Sequence, residues 1–287
     1  MSANMAADRL SFLIETLKPQ RRTRVIDIGA NPLSDPPYKT LMDVDGCDVW
    51  GFEPQPSAFD ELIKIAGPRE HYVPHAVGDG STGVLNICKN SGFTSMLEPN
   101  EAAYNYLGRF RRAGKVMERI EFGTSRLDDL DIPQVDLVKI DIQGGERAVF
   151  QNGRRMLGGG VAVVTEVAAI PLYKDQPLLD AQMSELRESG YHLHKFMTFK
   201  AMSMRAMVQD GRSRTMRNQL IDGDAVFIRS MLELPDQETE WLKHLALLAD
   251  SVFGSFDLAA RVLDLLLLRG EVSESQLDTY VSMVIDR

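Results

Sequence analysis

Cysteine is nearly absent from this chain of 287 residues: Cys47 and Cys88 are its only two, and their spacing is not that of a metal centre. So few thiols give no disulfide framework, and a reduced, cytoplasmic protein is the natural expectation. Long hydrophobic runs are missing as well. The longest, Val262–Leu268, is broken by Asp264 and is far too short to cross a bilayer, and no secretory leader is read at the start. Positive charge is in deficit, with 32 Lys and Arg against 41 Asp and Glu, a net charge of −9 and a pI near 5.1. That balance opposes a broad nucleic-acid surface, and no membrane partner is expected. The two local basic runs, Arg109–Lys115 and Arg212–Arg217, read as solvated faces.

Glycine is scarce at one informative place. VIDIGA at Val25–Ala30 is an apolar strand ending in a small-residue turn, but the turn continues as Asn31, Pro32, Leu33 and Ser34, with Gly29 its only glycine. A pyrophosphate needs G-x-G-x-x-G, so that backbone and helix N-terminus can approach two phosphates, which argues against a dinucleotide here. An adenosine cofactor without phosphates fits the turn, and S-adenosylmethionine is such a molecule. A second strand, Asp48–Phe52, ends on Glu53, about where an acidic side chain receives the two hydroxyls of a ribose. A carboxylate suits a cis-diol because it only accepts hydrogen bonds.

What is present supports a sizeable core: 44% of the residues are hydrophobic and 25% charged. Met5–Leu17 has helical spacing and ends at Pro19. Strands are expected at Arg24–Ile28, Asp48–Phe52, His71–Val77, Val84–Lys89 and Glu118–Gly123, with a helix over Pro56–Ile65. Asp136–Ile142 and Val161–Val167 are continuous apolar runs flanking a helix at Glu146–Leu157, the pattern of a βαβ unit buried on both faces. A helix at Leu178–Ser189 and edge strands at Tyr191–Phe199 and Ala225–Ile228 complete an α/β sheet. Residues 1–232, with a leading helix at 5–18, read as one domain. Residues 233–287 read as a small helical appendage, built from Glu238–Ala249, Phe256–Leu268 and Ser275–Ile285. The run Leu265–Leu268 is apolar on more than one side, which suits a cap on the sheet or a homodimer through these helices.

The ordered set VIDIGAN, VWGFEPQP, HAVGDG, GFTSML, SRLDDL, LVKIDIQGGE, VVTEV, PLYKDQP and DAVFIR resembles the FkbM family of S-adenosylmethionine-dependent methyltransferases. The likeness runs over roughly Arg24–Arg229 and is most specific at Leu137–Gly153. It implies a seven-stranded Rossmann-like sheet and methylation mostly of hydroxyls, on sugars and glycans or on natural-product scaffolds. One departure stands out: members usually continue DIGAN with a glycine-containing turn, whereas Pro32, Pro36 and Pro37 stiffen this loop. By this resemblance Asp27, Gly29, Ala30 and Asn31 surround the methionine part of the cofactor, Glu53 binds the ribose and Pro54 shapes the wall beside the adenine. Ala76, Val77, Gly78 and Asp79 are candidates for the adenine edge, although Asp79 equally suits a turn-capping aspartate.

Asp141 closes the strand LVKID at the carboxyl edge, where ligands bind in open α/β sheets, and Glu166 ends the neighbouring strand VVTEV. Methyl transfer to oxygen needs an in-line approach and removal of a proton, which a carboxylate accomplishes. Asp141, Glu166 and Lys139 are therefore the catalytic candidates; Lys139 shares a strand face with Asp141, and a buried ion pair is its alternative role. The two carboxylates also suit a divalent cation, the less favoured reading, so no metal ligands are assigned. Thr94, Ser95, Tyr173 and His194 are the candidates for binding a small-molecule or glycan acceptor. Two alternatives remain: a cofactor-fold binding or scaffold protein without turnover, and an N-methyltransferase, which needs no strong base.

Overall fold

The computed structural model describes residues 3–205 and 216–285; of the basic run at 212–217, all but Met216 and Arg217 lie outside the described residues. Among the described residues ten strands run in chain order: β1 Thr23–Ile28, β2 Cys47–Phe52, β3 Glu70–Val73, β4 Ala76–Gly78, β5 Thr82–Cys88, β6 Val116–Arg126, β7 Leu137–Ile140, β8 Ala162–Ala168, β9 Tyr191–Met202 and β10 Gln219–Arg229. Seven of them form one sheet in the order β3-β2-β1-β7-β8-β10-β9, in which β10 runs antiparallel to both neighbours and the remaining pairs are parallel. Strand order reverses between β1 and β7, so a crevice opens at their carboxyl ends. A second, three-stranded sheet, β4-β6-β5, lies beside that crevice.

Helices cover both faces of the large sheet, because its inner strands are apolar on both sides. On one face Ile26, Ile28, Val138, Ile140, Val163 and Phe227 meet α5 Glu146–Gln151, α6 Arg154–Gly159 and α7 Leu179–Glu188 through Val149, Phe150, Leu157 and Leu186. On the other face Val25, Val49, Leu137, Val164 and Val226 meet α1 Ala3–Leu17 and three C-terminal helices, α8 Thr239–Ser251, α9 Phe256–Leu268 and α10 Glu274–Ile285. Each strand thus sends alternate residues to alternate layers. The helices α2 Lys39–Asp43, α3 Pro56–Ile65 and α4 Glu101–Leu107 sit on the connections.

The C-terminal helices share one continuous core with the sheet and α1. Leu265 and Leu266 are buried there, while Leu268 is 78% exposed. A buried polar knot ties this layer: Arg9 lies 2.5 Å from Asp250, Tyr280 donates to the same carboxylate at 2.9 Å, and the guanidinium of Arg9 stacks 4.5 Å from the Phe256 ring. Removing one partner of such a pair leaves an uncompensated buried charge, which costs roughly 3–5 kcal/mol. Among the described residues no helix is long and apolar enough to cross a membrane.

Several expected elements differ: Glu118–Gly123 lengthens to β6 Val116–Arg126, and Ala225–Ile228 lengthens to β10 Gln219–Arg229, which lies inside the sheet between β8 and β9 and not at its edge. His71–Val77 is two strands in two sheets: Pro74 has no N–H to donate, and a tight turn follows in which His75 N–H donates to Val73 O at 2.9 Å. The helix expected over Glu146–Leu157 breaks at Asn152–Gly153, where a Cβ on Gly153 would lie 2.5 Å from Leu127. The strand expected over Asp136–Ile142 keeps only Leu137–Ile140, because Asp136 turns its carboxylate to Arg21 and to the Arg24 N–H.

Candidate active site

The crevice is a cleft of about 560 Å³. Its floor is the turn after β1. Gly29 adopts φ +81°, and a Cβ on it would stand 2.1 Å from the Asp141 carbonyl, so only glycine permits β1 and β7 to end side by side here. The Gly29 and Ala30 N–H groups donate to Phe52 O, which ties this turn to the end of β2. Glu53 follows. Its Oε1 accepts from the Gln55 N–H at 2.7 Å, and burial pushes its carboxyl up to about 7, the Gln55 bond and the Lys139 charge offsetting only part of that cost. Pro54, Ala76, Val77 and Gly78 continue the wall as an apolar strip.

Asp79 also lines the cleft, but its Oδ1 accepts from the Ser81 N–H and hydroxyl at 2.8 and 2.6 Å, bonds that hold its carboxyl below the ordinary carboxylate range. It is a turn-capping aspartate at the rim. Asn31 lines the cleft too and caps its own turn by accepting from Leu33 N–H at 3.0 Å.

At the other end of the cleft two carboxylates stand together. Asp141 leaves β7, its N–H bonded to Ile28 O at 3.0 Å, and Glu166 comes from β8. Between them lies Gln143, whose Nε2 donates to Asp141 Oδ1 at 2.8 Å and to Glu166 Oε2 at 2.9 Å. Burial pushes the Glu166 carboxyl well above its ordinary value, and the charges of Asp141, Glu146 and Asp222 push it further.

Gln143, which joins the two candidate carboxylates, is the candidate site residue that sequence reasoning missed. It holds φ +59°, a left-handed conformation that a non-glycine residue keeps only when its surroundings impose it. Those surroundings are identifiable. Ser95 donates from Oγ to Gln143 O at 2.8 Å, and Tyr173 donates from its hydroxyl to Gln143 Oε1 at 2.9 Å. Gly144, at φ +109°, leaves no room for a Cβ beside Leu97. Glu146 accepts from the Ile142 and Gly144 N–H groups at 3.0 and 3.1 Å, closing the loop from below. The available signal was an amide two residues after Asp141, directly before a glycine pair.

Several expected site residues sit elsewhere. His194 is not at the cleft: it faces the C-terminal layer, with Nε2 2.9 Å from Ser255 Oγ, because its position on β9 turns it to the α9 side. Tyr173 is buried behind Gln143, its hydroxyl 2.9 Å from Gln143 Oε1 and 3.3 Å from Phe93 O, and it is not among the residues that line the cleft. Ser95 lines the cleft but spends its hydroxyl on Gln143 O and on the Leu97 N–H; Thr94 lines it and accepts from Cys88 N–H at 3.2 Å. Lys139 bonds neither Asp141 nor Glu166. It reaches Asp27 at 2.8 Å and Gly29 O at 3.3 Å, and burial, which lowers its pKa, is outweighed by the charges of Asp27 and Asp141. Asp27 is held on its other oxygen by Tyr38, at 2.7 Å. Asp27 and Ala30 therefore brace the turn from behind and line a neighbouring cavity instead of the cleft. Gly29, Asn31, Glu53, Pro54, Ala76, Val77, Gly78, Asp79, Thr94, Ser95, Asp141 and Glu166 are brought together. Among the described residues no group of three His, Cys, Asp or Glu side chains is placed to hold a metal ion.

Residues 27–193, more than half of the chain, match the family described as the methyltransferase FkbM domain. The chain belongs to the FkbM methyltransferase family and is, by that membership, an S-adenosylmethionine-dependent methyltransferase. No curated protein matches it. Among solved structures it is similar to an FkbM methyltransferase from Methylobacillus flagellatus, at 13% identity and TM-score 0.39, over 72% of this chain and 43% of that one. It is also similar to a precorrin-6y C5,15-methyltransferase from Geobacter metallireducens, at 15% identity and TM-score 0.37, over 77% and 87% of the two chains. A third is magnesium protoporphyrin IX methyltransferase from Synechocystis, with S-adenosylmethionine bound, at 10% identity and TM-score 0.37, over 79% of each chain.

The residues present fit that cofactor. The open turn at Gly29 would take its amino acid part, the buried Glu53 its ribose, and the strip from Pro54 through Gly78 its adenine.

Proposed function

We propose that this methyltransferase acts on a hydroxyl of a sugar, glycan or natural-product polyol. The observation that carries this reading is the Asp141–Gln143–Glu166 arrangement, two carboxylates locked side by side by one amide at the end of the cleft away from Glu53. S-adenosylmethionine supplies a methyl group activated by its positive sulfur.

The chain's part is to hold an acceptor oxygen in line and to take its proton. Glu166 suits the proton transfer, because a carboxylate in a buried, negatively charged setting is a stronger base than one in water. Asp141, ending β7 beside Gly29, suits the positioning, accepting a hydrogen bond from the acceptor hydroxyl or its neighbour. Gln143 fixes both carboxylates in one orientation, which gives the pre-organisation that in-line transfer needs.

The test is methyl transfer from radiolabelled S-adenosylmethionine to a panel of polyols and amino sugars by the wild type, Asp141→Asn and Glu166→Gln. A hydroxyl acceptor requires a loss of roughly 10²–10⁴ in kcat/KM in at least one variant. Undiminished turnover in both, or transfer to amines alone, contradicts the reading.

A further inference from the structure

The segment Asn31–Pro37 runs between two spaces. Asn31, Leu33 and Ser34 line the cleft, and the same three residues, with Pro32, Asp35 and Pro36, line a cavity of about 700 Å³ on the other side. Leu33 is 67% exposed, so packing does little to fix the path of the segment. The hydrogen bond from Leu33 N–H to Asn31 Oδ1, at 3.0 Å, ties it to itself and not to the sheet. Three prolines, Pro32, Pro36 and Pro37, stiffen it without adding a donor. Its position therefore depends on how its two ends are held.

Both ends are fastened to one buried ion pair. Asp27 on β1 and Lys139 on β7 face each other across two paired strands, with Nζ 2.8 Å from Oδ1. Before the segment, Lys139 also donates to Gly29 O at 3.3 Å. After it, Tyr38 follows Pro37 directly and donates to Asp27 Oδ2 at 2.7 Å. Tyr38 is buried, as is Asp27. A buried carboxylate and ammonium are kept only with good partners, and here those partners include the chain on either side of one loop. Neither Lys139 nor Tyr38 is among the residues that line the cleft, so both act on a ligand there through what they hold.

We infer that Lys139 and Tyr38 are positioning residues for the amino acid end of the cofactor: through Gly29 and Asp27 they hold Asn31–Pro37 as a fixed strap against that end of the ligand. The amino acid end carries a carboxylate, which needs donors. With Asn31 Oδ1 engaged by Leu33 N–H, the strap offers the Asn31 NH2 group and the Ser34 hydroxyl, both from residues that line the cleft. A strap fixed in advance presents such donors without an ordering cost at the moment of binding. The inference rests on the placement of the cofactor at the Gly29 turn and is independent of the acceptor.

The experiment is calorimetric titration of the full chain with S-adenosylhomocysteine and with methylthioadenosine, which shares the adenosine and the thioether but lacks the amino acid part. It compares the wild type with Tyr38→Phe and Lys139→Met. Each variant should lose roughly tenfold or more in affinity for S-adenosylhomocysteine, the scale of one hydrogen bond to a charged group, while methylthioadenosine changes by less than about threefold. Tyr38→Phe keeps the ring and the ion pair, so it carries the test if Lys139→Met fails to fold. An equal loss for both ligands, as a merely structural role would give, or no loss for S-adenosylhomocysteine in Tyr38→Phe, overturns the inference. A second measurement needs no ligand: hydrogen exchange at the bonded Leu33 and Lys39 amides should be faster in Tyr38→Phe than in the wild type, and unchanged exchange overturns the strap. Failure of the wild type to bind S-adenosylhomocysteine would sink the cofactor placement and this inference with it, whereas binding without the expected selectivity in the variants sinks this inference alone.

Discussion

The hydroxyl of Tyr173 donates to Gln143 Oε1 at 2.9 Å, and this bond, together with the two carboxylates that accept from Nε2, sets which way the amide of Gln143 turns. With its carbonyl engaged behind the site, Gln143 has only its NH2 group to offer Asp141 and Glu166, and two carboxylates that would otherwise repel are held by shared donors. Tyr173→Phe should therefore leave the fold intact and lower kcat about three- to tenfold, with little change in KM for the cofactor, as expected for one lost neutral hydrogen bond. Steady-state kinetics measures this. A change confined to KM would assign Tyr173 to ligand binding instead.

Glu53 should make cofactor affinity depend on pH. Burial holds its carboxyl near 7, and a ribose diol is best received by the ionised form. Below that value a proton must leave before the ligand binds, so affinity for S-adenosylhomocysteine should rise between about pH 6 and pH 8 and level off above. The same titrations on Glu53→Gln should show a flat profile. A wild-type affinity that falls over that range contradicts the role.

Glu146 should make stability depend on pH in the opposite sense. Its carboxyl is raised by burial from an ordinary 4.5 to about 7, despite the N–H bonds from Gly144 and Ile142. A raised carboxyl means that the folded state binds the proton more tightly than the unfolded chain. Its contribution is full below about pH 4.5 and is lost as pH rises through about 7. Glu146→Gln keeps one oxygen for those N–H groups and offers an NH2 towards Gln182, whose Oε1 is buried without a partner among the described residues. Thermal melts at a series of pH values should show a smaller loss of Tm for Glu146→Gln than for the wild type between about pH 5 and pH 8. An equal or larger loss would contradict this.

The parts of the fold carried by long, regular patterns were legible. The apolar runs of β1, β7 and β8 give the sheet and the period of α8 and α9 gives the helices read as an appendage, but not the core that those helices share with the sheet and α1. Strand order brings Gly29, Glu53 and Asp141 to one edge, as their places at strand ends imply, and Glu166, expected to end its strand, joins them from two residues inside the end of β8. What stayed hidden depends on which way side chains turn. His194 and Lys139 alternate on strands in a way that fixes a face but not its occupant, and Ser255 before α9 and Asp27 turned out to be what they meet. Tyr38 bonds Asp27 from the start of a short helix whose five residues carry too little pattern to be read. Gln143 lay inside the most recognisable motif of the chain, yet its role needs a left-handed backbone and two distant hydroxyls, Ser95 and Tyr173, which no local spacing records. Pro74, by contrast, was a readable signal for the break between β3 and β4.

Glu53 is the acid proposed to receive the cofactor's ribose at the mouth of the sheet, and calorimetric titration with S-adenosylhomocysteine tests that role most directly. The wild type and Glu166→Gln should bind alike, since Glu166 stands on β8, three strands along the sheet from β2, which Glu53 follows, while Glu53→Ala should lose about tenfold or more in affinity, the scale of a hydrogen bond to a charged group. Absence of binding by the wild type, or an affinity unchanged in Glu53→Ala, would contradict it.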